Sequence, residues 1–338
     1  AKRLKSDEFY TQLSDIENEL KYYTAHFKDK TVLCNCDDPF ESNFFKYFVL
    51  NFNRLGLKKL ITTCYSGSPI MGLQLSLFDV VTKAEKKESL CKHPYKTVVT
   101  DVHDTTGDGG IDMFDVKNLF LSHVNELTEL NGNGDFRSSE CLALLDEADI
   151  VVTNPPFSLF REYVKVLMEH KKKFVIMGNK NAITYKEFFP FLKDNEVWVG
   201  ATSLNGGRWM IIPKGIEAKS SKVKVNERGE TLINVPGVCW FTNLDIKKRH
   251  EPLILYKSYR GHEEEYPKYD NYEAIEVSKV TDIPYDYFES VGKPVACLEK
   301  HNPGQVSHEN IDVSCDSTLT FIKTDIEFQT DRQTDRQT

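Results

Sequence analysis

Apolar residues near the start of the chain recur with the period of a helix. Residues 14–27 form the first such stretch, and Ser14 with Glu17 three positions later has the form of a capping box. The apolar positions, spaced by four, three and four, are Ile16, Leu20, Tyr23 and Phe27. This spacing predicts an amphipathic helix that begins at Ser14.

A strand, a helix and a second strand are predicted next. Residues 30–36 and 58–65 are short apolar runs typical of buried strands, and residues 41–56 between them show helical spacing and close on Gly56. Three elements in so short a segment predict a βαβ unit, and therefore a parallel sheet with a right-handed crossover.

The same alternation resumes after residue 147. The predicted segments, in the order strand, helix, strand, helix, strand, are 148–153, 158–170, 172–178, 183–194 and 196–201. We therefore predict an α/β fold with a Rossmann-like, doubly wound sheet. In such sheets ligands bind at the carboxyl ends of the strands.

Composition divides the rest of the chain. Residues 66–134 are polar and irregular, which predicts an insertion, with one helix near 114–130, into an α/β domain at 1–200. Residues 201–300 are richer in Trp, Tyr, Pro and Gly and contain β-like runs such as "GVCWFTNL", so we expect a separate C-terminal region. Residues 301–338 end in a repeated D-R-Q-T without apolar residues, and we expect a disordered tail.

The overall composition is that of a globular protein. The chain has 338 residues, of which 40% are hydrophobic and 12% aromatic, enough to bury a large core. No apolar stretch approaches the roughly 18 residues of a membrane-spanning helix, so we expect a cytoplasmic protein with no membrane partner. The eight cysteines are too sparse for a disulfide scaffold, and Cys34 and Cys36 lack a second pair at zinc-site spacing. We expect reduced thiols and no metal.

The formal charge of −8 argues against a nucleic-acid partner, because Lys and Arg dominate phosphate binding. Nucleic-acid enzymes nevertheless often concentrate their basic residues in a cleft. Two basic clusters occur, at 171–173 and 247–250. The first follows a predicted helix, where cations suit the negative end of the helix dipole, and is interpreted as a solvated helix end.

The stretch Asn-Pro-Pro-Phe carries the clearest chemistry. Asn154 directly follows a predicted strand and so lies at the ligand-binding edge of the sheet. Pro155 and Pro156 fix the backbone and supply no N–H group, so we expect the local carbonyls to stay out of helix and ladder hydrogen bonds. With the Asn154 side-chain carbonyl and the Phe157 ring, they would offer two acceptors beside a flat apolar surface. An exocyclic amine on a planar base fits such a site.

This arrangement suits methyl transfer to adenine. The adenine amine is a poor nucleophile because its lone pair is delocalised, and two acceptors would localise that pair on the nitrogen. The sulfonium methyl of S-adenosylmethionine, bound at neighbouring strand ends, is a sufficient electrophile without a metal. The alternative is that Asn-Pro only starts a turn. The strand before it and the helix after it favour the functional interpretation.

A second motif resembles a calcium-binding loop. The stretch "DTTGDGGIDMFD" at 104–115 has oxygen-bearing residues and glycine at EF-hand positions. Its twelfth residue is Asp rather than Glu, and no clear helix precedes it. We therefore interpret the stretch as a polar surface turn.

Several blocks of the chain resemble the EcoRI-type adenine-specific DNA methyltransferases over about residues 5–300. The blocks are "KSDEFYTQ", "CNCDDP", "SNFFKYF", "LGLKKLI", "GDFRSSE", "DIVVTNPPFSLFREY", "NAITYKE", "WFTNLD" and "YPKYDNYEAI". The resemblance implies S-adenosylmethionine as cofactor and double-stranded DNA as partner. It also implies that residues 1–200 are the methyltransferase domain and that residues 201–300 are a target-recognition region.

The resemblance also implies roles for individual residues. The implied catalytic residues are Asn154, Pro155, Pro156 and Phe157; the implied cofactor-binding residues are Tyr10, Thr11, Asn35, Cys36, Asp37, Asp135 and Phe136. Two departures from most methyltransferases of this fold are visible. The loop "CNCDDP" after the first strand has no glycine, and no acidic residue ends the second strand to bind the ribose. Asp37 or Asp38 is a candidate substitute.

Two other functions stay open at this point. One is methyl transfer to RNA or to a protein glutamine, and the other is DNA binding by a non-catalytic relative. The long region at 201–297 favours DNA, and the intact Asn-Pro-Pro-Phe favours catalysis. We expect a monomer that acts at one specific DNA site. The bases it reads, and whether a cognate restriction endonuclease accompanies it, stay open.

Overall fold

The structure divides into two compact units. The computed structural model describes residues 9–36, 42–65, 94–204, 207–212, 222–227, 229–270, 272–300, 302–303 and 319–323. The first unit falls within residues 1–189 and 197–245, and the second within residues 190–196 and 246–338. The boundary predicted at residue 200 does not coincide with this division, because residues 201–245 belong to the first unit.

Short strands and helices succeed one another along residues 9–245. The strands are β1 Thr31–Cys34, β2 Lys59–Thr63, β3 Tyr95–Val99, β4 Glu126–Glu129, β5 Ile150–Thr153, β6 Lys173–Asn179, β7 Trp198–Val199, β8 Arg208–Ile211, β9 Val223–Val225, β10 Thr231–Val235 and β11 Val238–Thr242. The α-helices are α1 Leu13–Leu20, α2 Asn43–Leu50, α3 Phe52–Leu55, α4 Met113–Leu121, α5 Ser139–Glu147, α6 Phe160–Glu169 and α7 Phe189–Lys193.

An eight-stranded mixed sheet organises the first unit, in the order β4-β3-β2-β1-β5-β6-β11-β7. The central strands β2, β1, β5 and β6 pair in parallel, and their residues are almost all buried, as expected for strands covered on both faces. The other pairs are antiparallel. From β1 the chain winds outward in both directions, which places a topological switch point between β1 and β5. The predicted Rossmann-like fold is confirmed.

The first predicted helix differs from the observed one at both ends. Helix α1 starts at Leu13 with Gln12 at the N-cap, and no side-chain cap bond forms, so the Ser14 capping box is wrong. After Leu20 the chain continues as turns, yet Tyr23 and Phe27 are still fully buried. The apolar spacing therefore identified the buried face correctly while overestimating the helix.

Local chemistry explains two further differences. The helix predicted at 41–56 is interrupted at Asn51, and α3 ends as predicted at Gly56, which has a left-handed φ of 63°. The helix predicted at 183–194 is reduced to α7, with Pro190 in its first turn. Proline cannot occupy a helix interior without loss of a backbone bond, so the helix starts beside it.

The predicted insertion contains regular structure. Residues 66–93 lie outside the described residues, but β3 and β4 extend the sheet beyond β2, and α4 lies between them in the chain. In the calcium-like stretch, Asp104 accepts backbone N–H bonds from Thr106, Gly107 and Gly109, and Asp115 forms a capping box with Asp112. Its carboxylates thus stabilise a turn and a helix start. Within the described ranges, no group of three His, Cys, Asp or Glu residues is placed to hold a metal.

Along the chain, the segment between β7 and β11 forms a small antiparallel sheet of its own, in the order β8-β10-β9. The N-terminal segment joins it, because Tyr10 and Ile211 exchange both backbone hydrogen bonds, at 3.0 and 2.9 Å. The Gln12 side chain also donates to the Trp209 carbonyl. The start of the chain is therefore held against residues near position 210.

A buried carboxylate connects α1 to the segment after β7. Glu19 is 0% exposed and accepts hydrogen bonds from the Tyr23 hydroxyl at 2.8 Å, the Ala201 N–H at 2.6 Å, and the N–H and hydroxyl of Thr202 at 2.8 and 2.6 Å. A side chain at Gly200 would meet the Glu19 carboxylate at 2.4 Å, so only glycine fits there. The donors compensate the burial of this charge.

The second unit contains a four-stranded sheet. Its strands are β12 Lys268–Tyr269, β13 Tyr272–Glu276, β14 Ser290–Pro294 and β15 Leu319–Lys323, in the order β12-β13-β14-β15. Its core consists of Tyr266, Ile275, Val277, Ile283, Tyr287 and Val291. Strand β15 corrects the prediction that residues 301–338 are wholly disordered, because "LTFIK" supplies enough β-forming residues to pair with β14. The D-R-Q-T repeat lies outside the described residues.

Across the portion of the chain that the structure describes, every helix is too short or too polar to cross a lipid bilayer.

We predict that Glu19→Gln destabilises the first unit by about 1–3 kcal/mol, because the new amide group would face backbone N–H donors and leave a buried donor unpaired. Urea unfolding measures the effect. The matched control is Glu17→Gln on the same helix, where the side chain is exposed and the change should be within about 0.5 kcal/mol. Equal unfolding midpoints for the two variants would contradict the role given to Glu19.

Candidate active site

Both strands at the switch point are followed by an asparagine. Asn35 follows β1 and Asn154 follows β5, and they are only 8% and 7% exposed. The hydroxyl of Thr153, the last residue of β5, donates to the Asn35 carbonyl. The two strand ends are therefore connected directly at the edge where this fold binds ligands.

The Asn154 side chain has one partner and one buried, unpartnered atom. Its Nδ2 donates to the Phe9 carbonyl at 2.8 Å. A carbonyl can only accept, so this bond fixes which end of the amide faces Phe9. The other end, Oδ1, is buried and accepts no hydrogen bond from the described residues. Such an acceptor costs about 1–3 kcal/mol when left unpaired, which points to a donor that arrives with a ligand.

The two prolines only partly fulfil their predicted role. Pro156 has the extended φ and ψ of −55° and 124°, but its carbonyl accepts a hydrogen bond from the Leu159 N–H at 2.9 Å. The expectation that local carbonyls avoid helical bonding is therefore wrong at Pro156, because a short 3₁₀ turn over Phe157–Leu159 begins there. Phe157 itself is half-buried and lies three positions after Asn154 in the chain.

Tyr10 and Thr11 lie next to Phe9 and so reach the neighbourhood of Asn154. The Thr11 hydroxyl donates to Met177 Sδ in β6 at 3.0 Å, and the Thr11 carbonyl accepts from Asn43 at 2.7 Å. Thr11 is thus turned toward the sheet rather than toward solvent. Its observed contacts hold the N-terminal segment on the ends of the strands.

Asp135 is held by an arginine that sequence reasoning missed. Arg137 Nε and Nη2 donate to the two Asp135 oxygens at 2.9 and 2.7 Å, and Arg137 Nη1 donates to Glu162 in α6 at 2.6 Å. The hydrogen bonds from Arg137 lower the pKa of Asp135, so its carboxylate is ionised at neutral pH. A basic residue two positions after an acidic one was the signal available in the sequence.

Phe136 connects this segment to the β1 loop through a second missed residue. Its ring lies edge-on to the Tyr163 ring, with centroids 5.0 Å apart and planes at 71°. The Tyr163 hydroxyl donates to Asn35 Oδ1 at 2.5 Å. Beyond Asn35, Cys36 takes a left-handed φ of 75°. Nothing in the helical spacing of Tyr163 indicates this hydroxyl contact.

The structure thus brings together most residues that the sequence predicted. Four separate segments meet at the ends of β1 and β5, and they contribute Phe9 to Thr11, Asn35 to Cys36, Asp135 to Phe136, and Asn154 to Phe157. Asp37, also predicted to bind the cofactor, lies outside the described residues. Its role in cofactor binding therefore stays a prediction.

The two basic clusters differ in their surroundings. Lys172 donates to the carbonyls of Asp146 and Ala148 at the end of α5, both at 2.9 Å, so it contacts the end of a different helix from α6, the one that precedes the cluster in the sequence. In the second unit, Lys247–His250 form a 3₁₀ turn, with Lys247 exposed. Arg249 donates to Asn195 at 3.1 Å, so this residue also has a structural contact.

Comparison with known proteins agrees with the site. The chain matches the family described as adenine-specific methyltransferase EcoRI over residues 1–338. It is 45% identical to the type II methyltransferase M.EcoRI of Escherichia coli over 307 residues, which cover 90% of this chain and 86% of the relative. It is 35% identical to the type II methyltransferase M.MpnI of Mycoplasma pneumoniae over 328 residues, covering 96% of this chain and 88% of the relative.

A relative in Mycoplasma genitalium, the type II methyltransferase M.MgeORF184P, is 33% identical over 332 residues, which cover 96% of this chain and 89% of the relative. These matches extend through both units, and the fold and the predicted motif agree with them. The chain therefore belongs to the EcoRI family of adenine-specific methyltransferases, and it is a site-specific DNA methyltransferase.

Proposed function

We propose that the protein transfers a methyl group from S-adenosylmethionine to N6 of an adenine extruded from duplex DNA, with Asn154 as the residue that binds the amine. The observation that carries this proposal is Asn154 Oδ1, a buried acceptor without a partner among the described residues, at the switch point of the sheet. An adenine amine has two N–H donors and lacks only a geometry that makes its lone pair available.

The residues of the chain supply that geometry. Asn154 Oδ1 accepts one amine proton, and the Pro155 carbonyl is the backbone acceptor proposed for the other, because the Pro156 carbonyl already serves Leu159. With both protons held, the nitrogen becomes more tetrahedral and its lone pair points at the methyl donor. When bound, S-adenosylmethionine supplies a methyl group on a positively charged sulfur. Methyl transfer would form the new N–C bond as the S–C bond of the donor breaks, which would leave a neutral thioether, and the methylated amine would lose one proton to solvent.

The cofactor pocket is proposed beside the β1 loop. Asp135 offers an ionised carboxylate to an exocyclic amine, and Phe136 offers an apolar ring next to it. This donor set suits the adenine ring of S-adenosylmethionine. Asn35 and Cys36, at the end of β1, would then lie near the rest of the cofactor, with Tyr10 and Thr11 toward its methionine end. We propose that Asp37 also binds the cofactor.

The base must leave the helix stack to reach Asn154, because this side chain is only 7% exposed and cannot contact a base that stays stacked inside a duplex. Phe157 is half-buried beside Asn154, so its ring is proposed to stack on the extruded adenine. The family assignment favours DNA over RNA or a protein glutamine as the acceptor.

The second unit is proposed to make DNA contacts outside the target base. Next to the Lys247–His250 turn, alternate residues of an extended segment face solvent, with Ile254 and Tyr256 exposed by 65% and 76%. Basic and aromatic side chains on one segment suit phosphates and sugars. The target-recognition role predicted for residues 201–300 is therefore proposed for this segment of the second unit.

We further infer that the enzyme acts as a monomer in the cytoplasm, where bacterial DNA lies. A cognate restriction endonuclease would be a separate partner, which the type II designation of the bacterial relatives supports.

Asn154→Ala should lower the turnover number by about 10²-fold or more, because the missing acceptor acts mainly in the transition state, and DNA affinity should be preserved. Single-turnover methylation and a DNA-binding titration measure the two effects. Asn243→Ala is the matched control, because Asn243 is also a buried asparagine, but both of its ends are bonded, to Lys172 and Phe174, away from the site. Normal turnover in Asn154→Ala would exclude the proposed role.

Phe157→Ala should weaken retention of the extruded base by about 1–3 kcal/mol, the usual contribution of base stacking on an aromatic ring. With 2-aminopurine at the target position, the fluorescence rise on binding should change in this variant. Phe114→Ala, which removes a ring 67% exposed on α4, is the control and should give the wild-type signal. Wild-type fluorescence and methylation in Phe157→Ala would show that the ring does not contact the base.

Replacing Lys247 and Lys248 together by Gln should reduce DNA affinity and flatten its dependence on salt, by roughly one unit of log–log slope for each phosphate that the variant no longer neutralises. Arg249 is left in place because it contacts Asn195. The control removes two charges elsewhere, with Lys28→Gln and Lys58→Gln, exposed residues near the amino ends of β1 and β2, opposite the site. Identical salt slopes for both double variants would assign the DNA surface elsewhere.

A further inference from the structure

The chain adopts a left-handed backbone conformation directly after β1, a conformation that glycine supplies in most phosphate- and nucleotide-binding loops. Its backbone must turn sharply at the end of a buried strand, and Cys36 takes a left-handed φ of 75° to do so. A residue with a Cβ adopts this conformation only at an energetic cost, so surrounding contacts must hold it. The Cys36 thiol donates to Asn35 Oδ1 at 3.6 Å, so the contacts that fix Asn35 also bear on Cys36.

Asn35 is fixed from two directions. Its backbone carbonyl accepts the Thr153 hydroxyl, and its side-chain Oδ1 accepts the Tyr163 hydroxyl at 2.5 Å. Thr153 precedes Asn154, and Tyr163 lies on the helix that follows Phe157. Both anchors of the loop therefore come from the segment that carries the catalytic motif.

The surroundings of Tyr163 favour its hydrogen bond to Asn35. It is 1% exposed, and burial raises the pKa of its hydroxyl well above the usual value, so the group remains a donor over the whole physiological range. Its ring also lies edge-on to Phe136, at 5.0 Å between centroids. One side chain thus contacts the β1 loop and the Asp135–Phe136 segment, the two parts of the proposed cofactor pocket.

We propose that Tyr163 is a positioning residue for S-adenosylmethionine: it holds Asn35 and Cys36 at the end of β1 through its hydroxyl, and the Asp135–Phe136 segment through its ring. The inference rests on the proposed function and extends it to a residue outside the Asn-Pro-Pro-Phe motif. Tyr163 does not touch the reacting atoms, so its removal should affect cofactor binding rather than the chemical step.

The test compares Tyr163→Phe, which keeps the ring and removes the hydroxyl, with wild type. Calorimetric titration with S-adenosylmethionine should show a dissociation constant raised about 10-fold, as expected when a buried hydroxyl-to-amide hydrogen bond is lost and only the weaker Cys36 thiol still donates to Asn35 Oδ1. The KM for the cofactor should rise equally, while kcat at saturating cofactor and the dissociation constant for DNA stay within about 2-fold of wild type. A structural defect alone would not produce this separation of KM from kcat.

Tyr23→Phe is the matched control. It also removes a fully buried hydroxyl, which donates to Glu19 at 2.8 Å in the segment that precedes β1, rather than to Asn35 at the carboxyl end of β1. It should lower the melting temperature without changing cofactor affinity. Equal cofactor affinity in Tyr163→Phe and wild type would overturn the inference. So would a Tyr163→Phe variant in which cofactor affinity, DNA affinity and melting temperature all fall together, because that pattern indicates a general structural defect.

The outcomes also separate this inference from the proposed function. If wild type binds the cofactor and Asn154→Ala is inactive, an unaltered Tyr163→Phe overturns the positioning role alone. If wild type binds no S-adenosylmethionine, both the proposed function and the inference fail.

Discussion

The hydrogen bond from the Asn154 amide to the Phe9 carbonyl is the interaction on which the site depends. An asparagine side chain presents a donor and an acceptor in opposite directions, and a free one would adopt either orientation. Because the Phe9 carbonyl accepts a hydrogen bond from Nδ2, the amide is held in one orientation. Its Oδ1 is then buried without a partner among the described residues. The protein therefore bears the cost of an unpaired acceptor in order to present it in a fixed position.

The sheet determines where this acceptor lies. In a doubly wound sheet the chain leaves the strands on either side of the switch point in opposite directions, which opens a crevice between β1 and β5. Asn35 and Asn154 occupy the two sides of that crevice, and the Thr153 hydroxyl joins them. The methyl donor and the methyl acceptor would thus be held by adjacent strand ends within one rigid, buried sheet.

Local patterns predicted part of this structure well. The βαβ unit, Gly56 at a helix end and the position of Asn154 all follow from periodicity and turn chemistry over a few residues. Strands β3 and β4 were missed because both are short and partly polar, β4 being the edge strand of the sheet. Strand β11 was assigned to the wrong unit because its partners are distant in sequence. Arg137 and Tyr163 act through single hydrogen bonds across long separations, and such bonds leave no periodic signal.

The pairing of Tyr10 with Ile211 has a consequence for how the enzyme is made. Phe9 and Asn154 are 145 positions apart, and the segment that carries Phe9 is held in place by a strand that is synthesised later still. A ribosome releases the complete Asn-Pro-Pro-Phe motif well before β8 emerges. Because non-local contacts form late, a nascent or truncated chain contains the motif without its orientation. With Asn154 in its proposed role, competence to methylate would arise only after nearly the whole of the first unit has been translated, and truncated chains would be inactive.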